Sequence, residues 1–465
     1  MSPTVYLVMF GWIPVVLNFF SRFPPQKAVI VSFIGAWLFL PMAVFPLPGL
    51  PDYSKMSATC YGILLATFLT DAERFKSLRF SWVDVPMLLW CTCPVFSSVS
   101  NDLGLYDGIS QSLDQTAMWG LPYLLGRLYL SNLSGLRQLA TGIFIGGLVY
   151  APLCVLETII SPQLHRIVYG YHAANFLQQI RYGGYRPSVF TQHGLAVGVW
   201  MMAATLIGMW FWYTGTLKKV WGFRLILLVP GLLVVFIMCK STGAYGLLAL
   251  GILILFSAKW LRTPLLLLLV VAAICAYLQM GATGAITPEA RDQVFVQLTK
   301  LSNEDRAGSI VFRLENEEIL SEKARERMLF GWGGWGRARV YNDEGEDISV
   351  TDSLWIIAFG DRGIYGLATL TGAMLVPALL IPFRAYPARL WGHPEVAPVA
   401  VLTVIVTLFM LDSVLNAMFN PVYVLTCGAL SGLAANPEPL GRKRKKKKAK
   451  TLPPAAKKQR SQQPA

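Results

Sequence analysis

Residues 281–353 read GATGAITPEARDQVFVQLTKLSNEDRAGSIVFRLENEEILSEKARERMLFGWGGWGRARVYNDEGEDISVTDS. Of the chain's 26 acidic residues, 14 fall between Gly281 and Asp352. A bilayer crossing needs about 20 apolar residues, and this interval has no such run. The chain on either side is mostly hydrophobic. Its 465 residues are 54% hydrophobic and 14% charged, against about 25% charged in soluble domains. A soluble core cannot hide so many apolar side chains. The expected fold is therefore all-α, a polytopic transmembrane helical bundle of about 12–13 spans with one large outward-facing loop.

Apolar runs mark these spans near 3–20, 28–46, 57–70, 82–99, 116–131, 138–160, 191–213, 223–240, 244–258, 264–280, 354–382, 398–415 and 421–435. The chain thus divides into N-terminal spans (1–280), the large loop (281–353), C-terminal spans (354–435) and a basic disordered tail (436–465). The N-terminus, MSPTVYLVMFGW, lacks a basic n-region and reads as a retained first span. Alternate short loops carry the cations: Arg22 and Lys27; Arg74, Lys76 and Arg79; Arg137; Lys218, Lys219 and Arg224; Lys259 and Arg262; Arg384 and Arg389. The positive-inside tendency puts these loops and the tail in the cytoplasm. The opposite set, 47–56, 100–115, 161–190, 241–243, 281–353 and 416–420, then faces outward, into a periplasm where there are two membranes.

The net charge of +14 is concentrated, because Arg442 to Arg460 holds 11 Lys and Arg and no acid. That tail suits the anionic leaflet of the membrane. It lacks the aromatic support of a nucleic-acid-binding surface, and no nucleic-acid partner is expected. The seven Cys lie in or beside apolar runs and read as small buried hydrophobes rather than as ligands or bridges. No metal or other cofactor is called for.

The candidate functional residues gather in the outward loops. Arg181 and Arg186 bracket a Gly-Gly pair at 183–184, a turn suited to presenting two guanidiniums to a phosphate. Interfacial snorkelling is the competing reading of each. His193 opens the next span, either bonded within the bundle or functional. Lys240 stands at the wrong end of its span for the positive-inside tendency, beside Ser241-Thr242-Gly243. An anionic ligand explains it. Arg127 reads as an interfacial anchor. Within the large loop, Ser309 to Arg327 has the spacing of an amphipathic helix and carries Arg313. LFGWGGWG follows at 329–336. Its glycines, Gly333 among them, allow close backbone approach to a ligand or a tight turn. Trp332 and Trp335 offer flat faces to sugar rings, or belong to an interfacial belt. Asp352 is a candidate general base or the partner of an arginine.

In this order the elements resemble the O-antigen ligase/O-antigen polymerase superfamily of bacterial polytopic membrane glycosyltransferases, over roughly residues 30–435. The likeness is sharpest from Arg313 to Leu367: Arg313, Met328-Leu329-Phe330-Gly331-Trp332-Gly333, Asp352-Ser353, and Asp361-Arg362-Gly363-Ile364-Tyr365-Gly366. Arg186-Pro187 with His193-Gly194, and Lys240-Ser241-Thr242-Gly243, match earlier family elements. The chain departs from the family at two points. Asp352 stands where the family has a His, and Lys240 approximates the second family Arg.

The resemblance implies a metal-independent glycosyltransferase in the bacterial inner membrane. Its donor is a glycan on undecaprenyl pyrophosphate, and its acceptor a glycan or lipid. Arg186, Arg313 and Asp352 would be catalytic, and Arg181, His193, Lys240, Trp332, Trp335 and Gly333 would bind substrate. Polymerase and ligase both fit. The alternative is a polysaccharide or lipid transporter or flippase, for which paired midplane charges and repeat symmetry are the expected signs.

Overall fold

The computed structural model describes residues 2–173, 175–285 and 304–441, with the backbone alone for 304–311. The basic tail and residues 286–303 of the large loop lie outside the described residues. The protein is 71% helical, and the strands among the described residues are three two-residue antiparallel pairs, so the fold is all-α as expected.

Each of the thirteen apolar runs is helical. Among the described residues, seven helices are long and apolar enough to cross a membrane: Pro3–Arg22, Trp82–Ser100, Leu133–Ile160, Gly194–Thr214, Thr242–Leu261, Leu265–Thr283 and Leu354–Ala385. Four shorter apolar helices join them, Pro25–Phe39, Leu225–Met238, Ala397–Ser413 and Pro421–Ala435. This is a multi-pass membrane bundle. Local signals set the helix boundaries. The Asn132 side chain accepts the Gly135 amide, and Asn420 that of Val422, each filling an orphan donor of a first turn. Gly215 and Gly284 end their helices in the left-handed region.

Gly194–Thr214, Ala397–Ser413 and Pro421–Ala435 are buried on nearly every side and form the centre. A helix apolar all round belongs there. Small residues let the backbones meet, as lipid-embedded packing requires. A Cβ at Gly428 would stand 1.9 Å from the Tyr123 carbonyl oxygen, and one at Gly126 2.0 Å from that of Leu425.

Hydrogen bonds sort the loops into the two expected sets. At one end Arg137 reaches the Thr216 carbonyl, Thr216 that of Pro394, and Tyr386 that of Glu438. At the other end Ser97 bonds Phe330, Asn101 bonds Gly331, Tyr182 bonds Thr242, and Ser2 bonds Tyr169. Three local expectations are corrected. The 100–115 segment is largely a helix, Leu105–Gln115. Arg127 is no interfacial anchor: it is 9% exposed, and its Nε lies 2.8 Å from Asp84 Oδ1, since a guanidinium this deep needs a counter-ion. Cys275 is exposed on its helix, whereas the other six thiols are buried.

The large loop contributes the helix Glu304–Arg325, close to the expected 309–327. After it the chain runs into a break in Leu354–Leu380, where Gly363 has φ 65° and ψ −165°. The loop backbone fills the break. Trp332 N–H donates to Gly360 O (2.8 Å) and Gly333 N–H to Asp361 O (3.0 Å). Ile364 N–H reaches back to Met328 O (2.8 Å). Gly331 therefore serves backbone-on-backbone packing, while Gly333, Gly334 and Gly336 lie against the side chains of Leu103, Gln111 and Tyr341. Gly331, at φ 71°, would place a Cβ 2.5 Å from Arg362 N.

Candidate functional site

The site is built around a hairpin. Ile180 pairs with Tyr185 and Arg181 with Gly184. Tyr182 and Gly183 at its tip both have positive φ (49° and 64°), as a two-residue primed turn demands. Arg186 N–H closes the hairpin on Gln179 O at 2.7 Å. The tip is pinned by Tyr182 Oη and Thr242 Oγ1, 2.9 Å apart. Lys240 Nζ lies against Gly184, where a Cβ would stand 2.1 Å from it.

This hairpin delivers Arg186 onto the N-terminus of Gly194–Thr214. The Arg186 stem crosses Gly194, whose missing Cβ would sit 2.4 Å from Arg186 Cδ. Arg186 is 7% exposed, and its Nη2 donates to Lys240 O at 3.4 Å. Its Nε is buried with no partner among the described residues, as are both polar atoms of Gln179, which is 2% exposed. Burial, then the charge of Arg181, with Arg313 adding to it, pulls the Arg186 guanidinium down to about 10. It remains a cation at neutral pH.

His193 is the N-cap of the same helix, and its Nδ1 accepts the Leu195 amide at 3.1 Å. That bond assigns the ring proton to Nε2. Burial first, then Arg186, Arg181 and Arg313, push the imidazole down to about 4. His193 is thus neutral at pH 7 and offers an Nε2–H donor. It does not fit the role of a proton-accepting base.

Arg313 comes from the surface helix Glu304–Arg325, and its Nε lies 3.6 Å from Asp352 Oδ2. Its charge also acts on Glu317. Glu317 anchors the surface helix by accepting Tyr277 Oη (2.6 Å) and Trp355 Nε1 (3.2 Å). Burial raises the Glu317 carboxyl, against the lowering effect of those hydrogen bonds. A cavity of about 50 Å³ lies beside it, lined by Tyr277, Leu314, Glu317, Ser321, Arg325 and Trp355.

The structure thus gathers Arg181, Arg186, His193 and Lys240 at one helix end, and it pairs Arg313 with Asp352. It puts Trp332, Trp335 and Gly333 elsewhere, against the broken helix and Leu105–Gln115. The Trp332 ring is covered by Lys323 Nζ at 3.9 Å, and its Nε1 donates to Lys323 O at 2.7 Å. Trp335 is 78% exposed and donates to Asp107 Oδ1 at 2.8 Å. Gly333 bonds the broken helix. His165 is a structural residue, 3% exposed, with its Nδ1 2.8 Å from Tyr171 O.

Sequence reasoning missed Gln179, which gives no signal in the sequence.

Chemically, the Arg186 guanidinium and a neutral imidazole N–H lie at a helix N-terminus, within the field of Arg181 and Arg313. Such a set binds an oxyanion. Among the described residues, no group of three or more His, Cys, Asp or Glu side chains is placed to hold a metal ion. Searched against protein-family models and against curated proteins, the chain gives no match.

Proposed function

We propose that this protein is a membrane glycosyltransferase of the O-antigen ligase/polymerase type. It would take a glycan from undecaprenyl pyrophosphate on the outer face of the bacterial inner membrane. One observation carries the reading: Arg186 and neutral His193 lie at the N-terminus of Gly194–Thr214, in the field of Arg181 and Arg313. A diphosphate leaving group is the anion that such a site favours. Its charge grows as the sugar C1–O bond breaks, and guanidiniums already in position stabilise that charge at little reorganisation cost. The incoming hydroxyl gives its proton to Asp352, the carboxylate paired with Arg313.

The orientation rests on charge. Loops at the end opposite the arginine cluster hold Arg74, Lys76, Lys218, Lys219, Arg262 and Arg389, which supports a cytoplasmic assignment for them. The basic tail would meet anionic lipid on the same side.

A transporter is the competing reading, since discontinuous helices often frame transport sites. Here the break at Gly363 is filled by the loop backbone, and its neighbouring amides and carbonyls are bonded. That observation favours the enzyme. The test is the carrier-linked glycan profile of cells with and without the protein. Single repeats accumulating on the carrier in its absence identify a polymerase, and full-length carrier-linked chains a ligase. An unchanged profile rejects glycosyl transfer.

A further inference from the structure

Glu157 is fully buried in the last turn of Leu133–Ile160. A carboxylate is costly there for two reasons. It is withdrawn from water, and it stands at a helix C-terminus, where the helix dipole disfavours negative charge. Its partners among the described residues are three backbone amides and no cation. Oε1 accepts Leu164 N–H at 2.9 Å, and Oε2 accepts Ser188 N–H at 2.9 Å and Val189 N–H at 2.7 Å. Leu164 and Ser188 lie near the two ends of the outward loop that carries the hairpin of Arg181 and Gly184. One side chain thus fastens that loop at both ends. The stretch it holds also joins two site residues, since Ser188 and Val189 lie between Arg186 and His193. Val189 has φ 49°, a left-handed conformation that a β-branched residue keeps only when its surroundings impose it. Successive amides turned to one side form a concavity for an anion, and here the anion is the protein's own carboxylate. Tyr150 Oη accepts the next amide, Phe190 N–H, at 3.0 Å, and Thr191 Oγ1 donates to Ser188 O at 2.8 Å.

We propose that Glu157 is a positioning residue: its carboxylate holds the strained turn at 188–189, and that turn sets where Arg186 stands. The proposal rests on the glycosyl-transfer reading above. Arg186 has little room for displacement, because its stem occupies the space of the missing Gly194 Cβ, 2.4 Å from Cδ. A guanidinium that stabilises a leaving diphosphate acts only from the right position, and a misplacement of about 1 Å costs on the order of 100-fold. Glutamine does not replace glutamate here. Its amide has one acceptor oxygen. Turned to serve Ser188 and Val189, it sets its own N–H against Leu164 N–H. Turned to serve Leu164, it sets that N–H against the other two.

The test uses the full chain in lipid nanodiscs. Two readings are taken: transfer from carrier-linked glycan extracted from cells lacking the protein, and binding of undecaprenyl pyrophosphate. Wild type, Glu157→Gln, Arg186→Ala and the double variant form a cycle. Glu157→Gln alone should lower the transfer rate at least about tenfold. Added to Arg186→Ala, it should cost about twofold or less, because a guanidinium that is gone cannot be displaced. A factor that does not shrink in the Arg186→Ala background means general damage to the fold and overturns the proposal. So does wild-type transfer by Glu157→Gln. Should Glu157→Gln fail to insert, Tyr150→Phe removes only the acceptor of the Phe190 amide and goes through the same cycle. A loss confined to the background that keeps Arg186 supports the proposal, and a wild-type rate or an undiminished factor overturns it. A wild-type protein that binds the carrier but does not transfer, with the glycan profile unchanged, instead removes the glycosyl-transfer reading itself. The same cycle on carrier binding then decides the role of Glu157.

Discussion

Gly331 and Gly363 lie backbone against backbone. A Cβ at Gly331 would meet Gly363 N at 2.5 Å, and one at Gly363 would meet the Leu329 carbonyl at 2.4 Å. Both residues have positive φ (71° and 65°). The loop and the broken helix exclude side chains at both positions, so each glycine supports the other's conformation.

Gly331→Ala and Gly363→Ala should therefore each cost about 3 kcal/mol, through left-handed strain plus overpacking. Gly183 also has positive φ, but nothing lies within 4 Å of its missing Cβ. Gly183→Ala should cost only about 1 kcal/mol, the strain alone. Thermal melting of the three variants in detergent checks the order.

Arg186→Ala should reduce transfer by about 10²–10³-fold, the usual loss when one positioned donor to a developing anion is removed. Gly194→Ala should approach the same loss with every charge retained, because its Cβ would occupy the path of the Arg186 stem. Transfer assays on inserted protein, with binding of undecaprenyl pyrophosphate alongside, read both. Wild-type activity in Gly194→Ala would show that the position of Arg186 does not matter.

His193 should make stability depend on pH. Its value is lowered from 6.5 to about 4 by burial, Arg186, Arg181 and Arg313. Between those values the unfolded chain binds the proton more readily than the folded one, so stability falls as pH drops from 6.5 towards 4. The full contribution is about 3 kcal/mol, present above the upper value and lost below the lower. Asn at 193 still caps the helix. His193→Asn should therefore flatten melting temperature across this window while leaving the helix in place. An unchanged slope would reject a neutral, buried His193.

Glu317 ties the surface helix to Tyr277 and Trp355. Glu317→Ala should leave both donors short of a partner and cost about 2 kcal/mol. The cost should appear locally, as faster proteolysis within 304–325, while the central helices keep their protection. Uniform destabilisation across the chain would contradict a local anchor.

Much of the architecture was legible in the chain. Thirteen apolar runs became helices because Leu-, Val- and Ile-rich segments that must satisfy their own backbone have few other solutions in lipid. Alternating Lys and Arg sorted the loops into the two sets that the hydrogen bonds later joined. Arg181, Arg186, His193 and Lys240 stood out by charge and by neighbouring glycines, and the hairpin gathers them at one helix end, while Arg313 pairs with Asp352. The Leu105–Gln115 helix was hidden because its polar composition resembles that of a loop. The burial of Arg127 was hidden because its counter-ion, Asp84, lies 43 residues away.

The sequence by itself determined an all-helical membrane bundle and the chemistry of the candidate residues, since hydropathy and charge act locally and can be read along the chain. Only the tertiary structure decided which of those residues meet. The glycine-rich run could equally have approached a ligand or another backbone, and packing into the break at Gly363 chose the backbone. That choice carried Trp332 and Trp335 away from the arginines. Contacts of this kind depend on the relative positions of distant helices, which no local pattern specifies.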